Sequence, residues 1–475
     1  MTEPGSVPPP YGADASVAAA DATPTSATAG AHATASDPAP ATASDPAPAA
    51  SGTAPTAPQQ ARQAARRPAR QGSLREHNLR LVLRHVLEAS DVPDAPAPSR
   101  ADVATATGLT RGSVSALVDL LIGARLVTEL PPAVTARAGR PAVPLVPARR
   151  TVVGLGAEVN VDYVGVQALD LAGEVLGHRT TVGDFRHSDP AAVLALLASL
   201  VAEVLAELPD GARPVGMCLA LPGLVDRVTG PLRLAPNLGW RDVDVVALLA
   251  THPAIDGLPV RLANEANLAA RAEARAGVAG QSFLYVSGEV GIGAAIVLDG
   301  EVFAGRHGWS GELGHTVVDT AGPRCTCGAR GCLEQYAGKD ALLRAAGRDL
   351  DETVETLIDV AAGGDERAVR ALRDAGEALG VALANFVNLV DVETVVLGGI
   401  YAPLAPWLTE AVVAQLRSRV LAAEWEDARV GVAAGGEHAA MTGAALVVLR
   451  SVVDDPSAWV VLPGVGDEAA EAAAR

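Results

Sequence analysis

The chain has 475 residues, of which 49% are hydrophobic and 3% aromatic, with a formal net charge of −18. That length allows two or three domains with ample core, and the overall acidity excludes a uniformly basic nucleic-acid binder. No apolar run approaches the ~18 residues needed to cross a bilayer, which predicts a cytoplasmic protein with no membrane partner.

Charge is segregated along the chain. Residues 1–61 carry five acids and no Lys or Arg, residues 62–150 carry fourteen Arg against seven acids, and residues 151–475 give −20. Concentrating cations in one stretch is what phosphate binding requires. Lys339 is the only lysine, which reads as coding bias toward arginine.

Residues 1–72 contain the repeated ATASDPAPA and an Ala/Pro/Ser/Thr composition that buries too little apolar surface to offset chain entropy. A disordered arm is expected. Its Arg62, Arg66, Arg67 and Arg70 are either a DNA-backbone contact or a solvated tail.

Residues 73–148 read as the first folded unit. Ser73 and Glu76 form an expected capping box, followed by Leu79, Val82, Leu83, Val86 and Leu87 at helical spacing. Ser99 with Asp102 predicts a second short helix broken by Gly108. Thr110 predicts the cap of a third, with Val114, Leu117, Val118 and Leu121 as its buried stripe. Two helices joined by TGLT, then the strand LVTEL, a loop and the strand VPLV, predict a winged helix-turn-helix. Such a motif turns the start of its second helix to the major groove, making Arg111, Ser113 and Ser115 candidate DNA contacts, with Arg137 and Arg140 on the wing reaching a minor groove. Small helical domains also bind proteins; the arginine wing and the local charge favour DNA.

Residues 151–452 alternate short β runs with Ala-rich helices, an α/β texture, and residues 453–475 read as a tail. Strands with a hairpin at Leu171–Gly173 and a helix from about Pro190 to Leu208 lead to the strand PVGMCLALPG. A second set follows at QSFLYVSGEVGIGAAIVLDGEVFAG, with ETVVLGG later. Two such halves predict a duplicated fold with a ligand cleft between lobes.

The stretch GELGHTVVDTAGPRCTCGARGCLEQ places His315, Cys325, Cys327 and Cys332 at the spacing of a closed Cys3His zinc shell. Three clustered cysteines cannot all pair among themselves, and Cys218, in the apolar run VGMCLALPG, reads as a small buried hydrophobe. A closed shell leaves the metal no open position, so the zinc is expected to fold the loop.

LRxxNxxxVL, LPGLVD, PNLGW, ANEANLAA, GIGAAIVLDG, GELGH and CTCGARGCLE together resemble the ROK family of repressors, open reading frames and sugar kinases, over about residues 74–450. The resemblance implies a two-lobed sugar-kinase/actin-like fold of the ribonuclease-H-like class, a zinc site and a sugar-binding cleft. It places sugar contacts at Asn264, Glu312, His315 and Glu334, and assembly as a homodimer or homotetramer. Carboxylates and an imidazole suit vicinal hydroxyls, since charge-assisted hydrogen bonds are the stronger kind. The plainer alternative is loop carboxylates and a metal ligand without substrate.

Two departures separate a sensor from a kinase. The first phosphate loop of the family resembles DxGGT, where this chain has GLGAEVN, so Glu158 sets a carboxylate where phosphates would lie. The family's catalytic base is an aspartate after asparagine, where this chain has Glu265, longer by one methylene; a ~1 Å displacement can cost ~100-fold in rate. Glu265 can still bond a sugar. The expectation is a non-enzymatic repressor that binds double-stranded DNA and a sugar or sugar phosphate. The rivals are an active ATP-dependent sugar kinase with an added DNA-binding domain, and a zinc-responsive switch.

Overall fold

The computed structural model describes residues 71–91, 95–132, 142–226 and 232–460. The first helix, α1 (Gln71–Asp91), buries Leu79, Val82, Leu83 and Val86. It includes Gln71 and Gly72, so the expected capping box at Ser73 and Glu76 does not start it. The caps of the next two helices form as expected. Ser99 accepts from the Asp102 amide and donates its own amide to Asp102 Oδ2 at 2.9 Å, opening α2 (Arg100–Thr107), which ends at Gly108 with φ +71°. Thr110 Oγ1 accepts from the Ser113 amide at 3.1 Å, opening α3 (Arg111–Gly123), whose buried residues are Val114, Leu117, Val118 and Leu121. β1 (Val127–Glu129) pairs antiparallel with β2 (Leu145–Pro147). Arg100 ties these elements together, with Nη1 on the Ser115 carbonyl at 3.0 Å and ion pairs to Asp119 and Glu129.

The remaining strands form two five-stranded sheets and a small three-stranded one. β3 (Val152–Val159), β4 (Tyr163–Asp170) and β5 (Val175–Val182) are an antiparallel meander. After α4 (Pro190–Glu207), β6 (Arg213–Leu221) returns parallel to β3. A small antiparallel sheet of β7 (Leu224–Val225), β8 (Leu232–Ala235) and β9 (Trp240–Val243) intervenes, with α5 (Val245–Leu249), before β10 (Val260–Asn264) pairs parallel with β6. Then come α6 (Glu265–Ala276), β11 (Phe283–Gly288), β12 (Ile292–Leu298) and β13 (Glu301–Val302). Helices α7 (Glu334–Ala337), α8 (Lys339–Ala346), α9 (Val354–Ala362) and α10 (Glu366–Val390) lead to β14 (Thr394–Gly399), α11 (Tyr401–Arg419), β15 (Arg429–Val432) and α12 (Ala439–Asp454).

The sheet orders are β10-β6-β3-β4-β5 and β15-β14-β11-β12-β13. Each has an antiparallel meander on one side and two parallel strands on the other, so the second half repeats the topology of the first, as the alternation of strands and helices predicted. α6 and α12 lie in the apolar layer where Cys218 and Ala220 of the first sheet meet Phe283, Tyr285 and Val396 of the second. Close approach is built in: a Cβ on Gly156 would fall 1.8 Å from the Met441 carbonyl of α12, and one on Gly443 would fall 1.8 Å from that of Leu268 in α6.

α4 corrects one expectation, being an 18-residue helix with a mean hydropathy of 1.8, long and apolar enough by composition to cross a bilayer. Its Val193, Leu194, Leu197, Val201 and Val204 are instead packed in the core of the first lobe, against β4 and β5. The helical unit is not packed apart from the lobes. Val82, Val86, Val118 and Leu145 share one apolar cluster with Leu171, Leu449 and Val452.

Candidate functional site

The cleft between the sheets holds a cavity of ≈ 560 Å³, and Asn264, Glu265, Glu312, His315 and Glu334 all line it. Asn264 ends β10 and caps α6: Oδ1 accepts from the Asn267 amide at 3.2 Å and Nδ2 donates to the Gly223 carbonyl at 3.1 Å. These bonds fix the amide and set Glu265 as the first residue of α6. Glu312 precedes the 3-10 turn Leu313–His315 without capping it, and Glu334 opens α7.

His315, Cys325, Cys327 and Cys332 converge, their ligand atoms all within 4.8 Å of one another. Cys325 Sγ is 3.8 Å from His315 Nδ1, and Cys327 Sγ is 3.6 Å from Cys332 Sγ. With Zn–S bonds of ~2.3 Å, the edge of a tetrahedral shell is about 3.8 Å, so the four donors fit a zinc-sized ion. The backbone prepares this: Cys325 donates its amide to the Ala329 carbonyl, Gly328 turns at φ +97° with its amide on the Cys325 carbonyl, and Val317 bridges to Cys332. His315 presents Nδ1 to the thiols, which leaves Nε2 for another partner.

The cavity is lined by the carboxylates Glu265, Glu289, Glu312 and Glu334, and a further one is buried nearby. Glu158, on β3, is 3% exposed; burial raises its pKa to about 7, against hydrogen bonds from Tyr163 and Asn160. Glu289, on the turn between β11 and β12, is raised to about 8 by burial and by Glu158 and Asp162, opposed by Lys339. Glu265 is pushed well above the usual carboxylate range by burial, then by Glu158, Glu289 and Glu312. GLGAEVN lies in a β run, as expected: residues 152–159 are strand β3, its Gly156 serves helix packing, and Glu158 is buried two residues before Asn160, which lines the cavity.

Sequence reading missed several lining residues. Asn160, Asn237, Arg241 and Glu289 face the cavity, and Asn237 Nδ2 and Glu334 Oε2 both crowd Gly291, each within 3 Å of where its Cβ would lie. Asn237 stood in the PNLGW motif and Glu289 in EVGIG, the only local signals for them. The lobes are bridged beside the cavity by Lys339 to Asp162 at 2.9 Å and Arg186 to Asp340 at 3.5 Å.

Of the DNA candidates, Arg111 and Ser113 are exposed on the first turn of α3, and Ser113 Oγ lies 2.9 Å from Thr110 Oγ1. Ser115 is half-buried. Arg137 and Arg140 lie outside the described residues.

The xylose repressor of Bacillus subtilis (strain 168) is 28% identical over 390 residues, covering 80% of this chain and 97% of the repressor. A crystal structure of a ROK family transcriptional regulator, a homologue of the E. coli Mlc protein, matches with a TM-score of 0.65 at 27% identity, over 80% of this chain and 97% of that one. The glucokinase of Thermotoga maritima is 32% identical over 218 residues, 42% of this chain and 68% of the enzyme. The ROK family profile matches residues 155–451, which span both sheets, the cavity and the Cys3His cluster, and the chain therefore belongs to the ROK family.

Proposed function

We propose that this chain is a sugar-responsive DNA-binding repressor. Residues 73–148 form a winged helix-turn-helix that reads DNA, and residues 151–452 form a two-lobed effector domain, flanked by an N-terminal arm (1–72) and a tail (453–475). Asn264, Glu265, Glu312, His315 and Glu334 hold a monosaccharide or its phosphate. A structural zinc on His315, Cys325, Cys327 and Cys332 fixes the loop that carries three of these groups. Arg111, Ser113 and Ser115, with Arg137 and Arg140, contact DNA. The protein acts in the cytoplasm as a homodimer or homotetramer, since a repressor of this kind needs paired half-sites.

The observation that carries this reading is the course of α6. It opens with Glu265 in the cavity and closes with Arg275 hydrogen-bonded to Asp91 at the end of α1. A ligand that favours one position of α6 therefore biases the helical unit, which is what an effector must do to change DNA affinity. The match to the xylose repressor runs through the helical unit and nearly the whole repressor, whereas the glucokinase match covers less than half of this chain.

Phosphoryl transfer is disfavoured at the position of the base: Glu265, at the start of α6 in the cavity, stands where the family's kinases use aspartate and is longer by one methylene. Incubating the zinc-loaded protein with ATP and a hexose panel tests this: no turnover is expected above background. Turnover abolished by Glu265→Ala, with the fold intact, establishes a kinase instead.

A further inference from the structure

A second cavity, of ≈ 400 Å³, lies away from the cleft, lined by Arg261 of β10, Arg271 of α6 and Val447, Arg450, Ser451 and Asp454 of α12. We propose that it is a binding site for a small phosphorylated anion, placed at the junction between the effector lobes and the helical unit.

Three guanidinium groups converge in a region whose sequence is otherwise strongly acidic. Two carboxylates serve them. Glu301 lies 2.7 Å from Arg450 and 3.8 Å from Arg271, and Asp454 lies 3.6 Å from Arg450. Asp454 is further shared with Arg84 of α1, at 3.4 Å. Three arginines thus divide two carboxylates, and a fourth, Arg261, makes no ion pair among the described residues. Burial lowers the pKa of Arg271, Glu301 opposes this, and Arg450 adds a smaller repulsion, so an added anion offsets the cost of holding these cations together. Planar guanidinium forks match phosphate oxygens in bidentate fashion. The volume suits a small metabolite.

The placement gives the site a consequence. A phosphate that draws Arg450 from Asp454 leaves that carboxylate to Arg84, tightening α12 onto α1. Occupancy therefore acts on the same helix that α6 reaches through Arg275, by a separate contact.

The test uses the zinc-loaded full chain in thermal-shift and calorimetric titrations with inorganic phosphate, sulfate, glucose 6-phosphate and glucose. Phosphate is expected to raise the melting temperature of the wild type. Arg261→Glu, at an exposed position that keeps the fold, is expected to weaken phosphate binding about tenfold or more, as is Arg271→Gln. Stronger binding of glucose 6-phosphate than of phosphate assigns the site to a phosphorylated metabolite, and equal binding assigns it to free phosphate. The proposal is overturned if the wild type shows no response to any phosphate, or if Arg261→Glu responds as the wild type does. A neutral monosaccharide that binds the main cleft acts equally on wild type and Arg261→Glu, so failure here is distinct from failure of the sugar-sensor reading.

Discussion

Arg275, next to last in α6, reaches Oδ1 of Asp91, the last residue of α1, through Nε at 3.1 Å and Nη2 at 2.9 Å. The two residues are 184 positions apart in sequence. Ten residues of helix, about 15 Å, separate Arg275 from Glu265 in the cleft. Arg275→Ala removes a half-exposed pair, which contributes about 1 kcal/mol or less to stability. The melting temperature is expected to change little, while the dependence of DNA affinity on sugar weakens. Fluorescence anisotropy on operator DNA, with and without sugar, checks this. An undiminished sugar response in the variant contradicts the coupling.

The metal cluster predicts stoichiometric zinc. Elemental analysis of the purified protein is expected to give one zinc per chain. Cys332→Ser, at a fully buried ligand, is expected to lose the ion along with several kcal/mol of stability and the sugar-induced thermal shift. A variant that binds sugar normally without zinc shows that the metal does not organise the site.

The buried carboxylates predict a pH dependence. Burial lifts Glu158 from 4.5 to about 7, so the folded state binds its proton more tightly than the unfolded chain does. The associated stability is fully present below about pH 4.5 and is lost as pH rises through about 7. Glu158→Gln keeps the shape without the charge. It is expected to gain up to a few kcal/mol over the wild type at about pH 8 and to match it near pH 5. Glu289 retains its own raised pKa, so the decline flattens without vanishing. Thermal melts across that range decide; parallel profiles for the two proteins refute a charge penalty at Glu158.

Arg111 is exposed at the start of α3 and makes no ion pair among the described residues. Arg111→Ala is expected to leave the melting temperature unchanged and weaken operator binding by about 1–3 kcal/mol. Unaltered DNA affinity removes α3 as the reading helix.

Local chemistry made much of this legible in sequence. Ser99 with Asp102, and Thr110 with Ser113, are short-range caps, and the stripe from Val114 to Leu121 is a periodicity; each survives in the fold. The Cys3His spacing lies within one loop, so its convergence was visible too. What sequence did not yield depends on distant packing. The packing role of Gly156 was not visible because nothing local indicates that α12, nearly 300 residues on, presses its carbonyls onto β3. Asn160, Asn237 and Glu289 reach the cavity from three different connections. The start of α1 was misplaced because Ser73 and Glu76 match the capping pattern inside a helix that already includes Gln71 and Gly72.

The most direct measurement is the affinity of the full-length protein for operator DNA, selected from random duplexes, as a function of a monosaccharide first identified by thermal shift. The sugar is expected to change DNA affinity by about fivefold or more, DNA to change sugar affinity by the same factor, and Glu312→Ala to abolish both effects while DNA binding persists. A sugar bound in the cleft with equal affinity whether or not DNA is present contradicts this linkage.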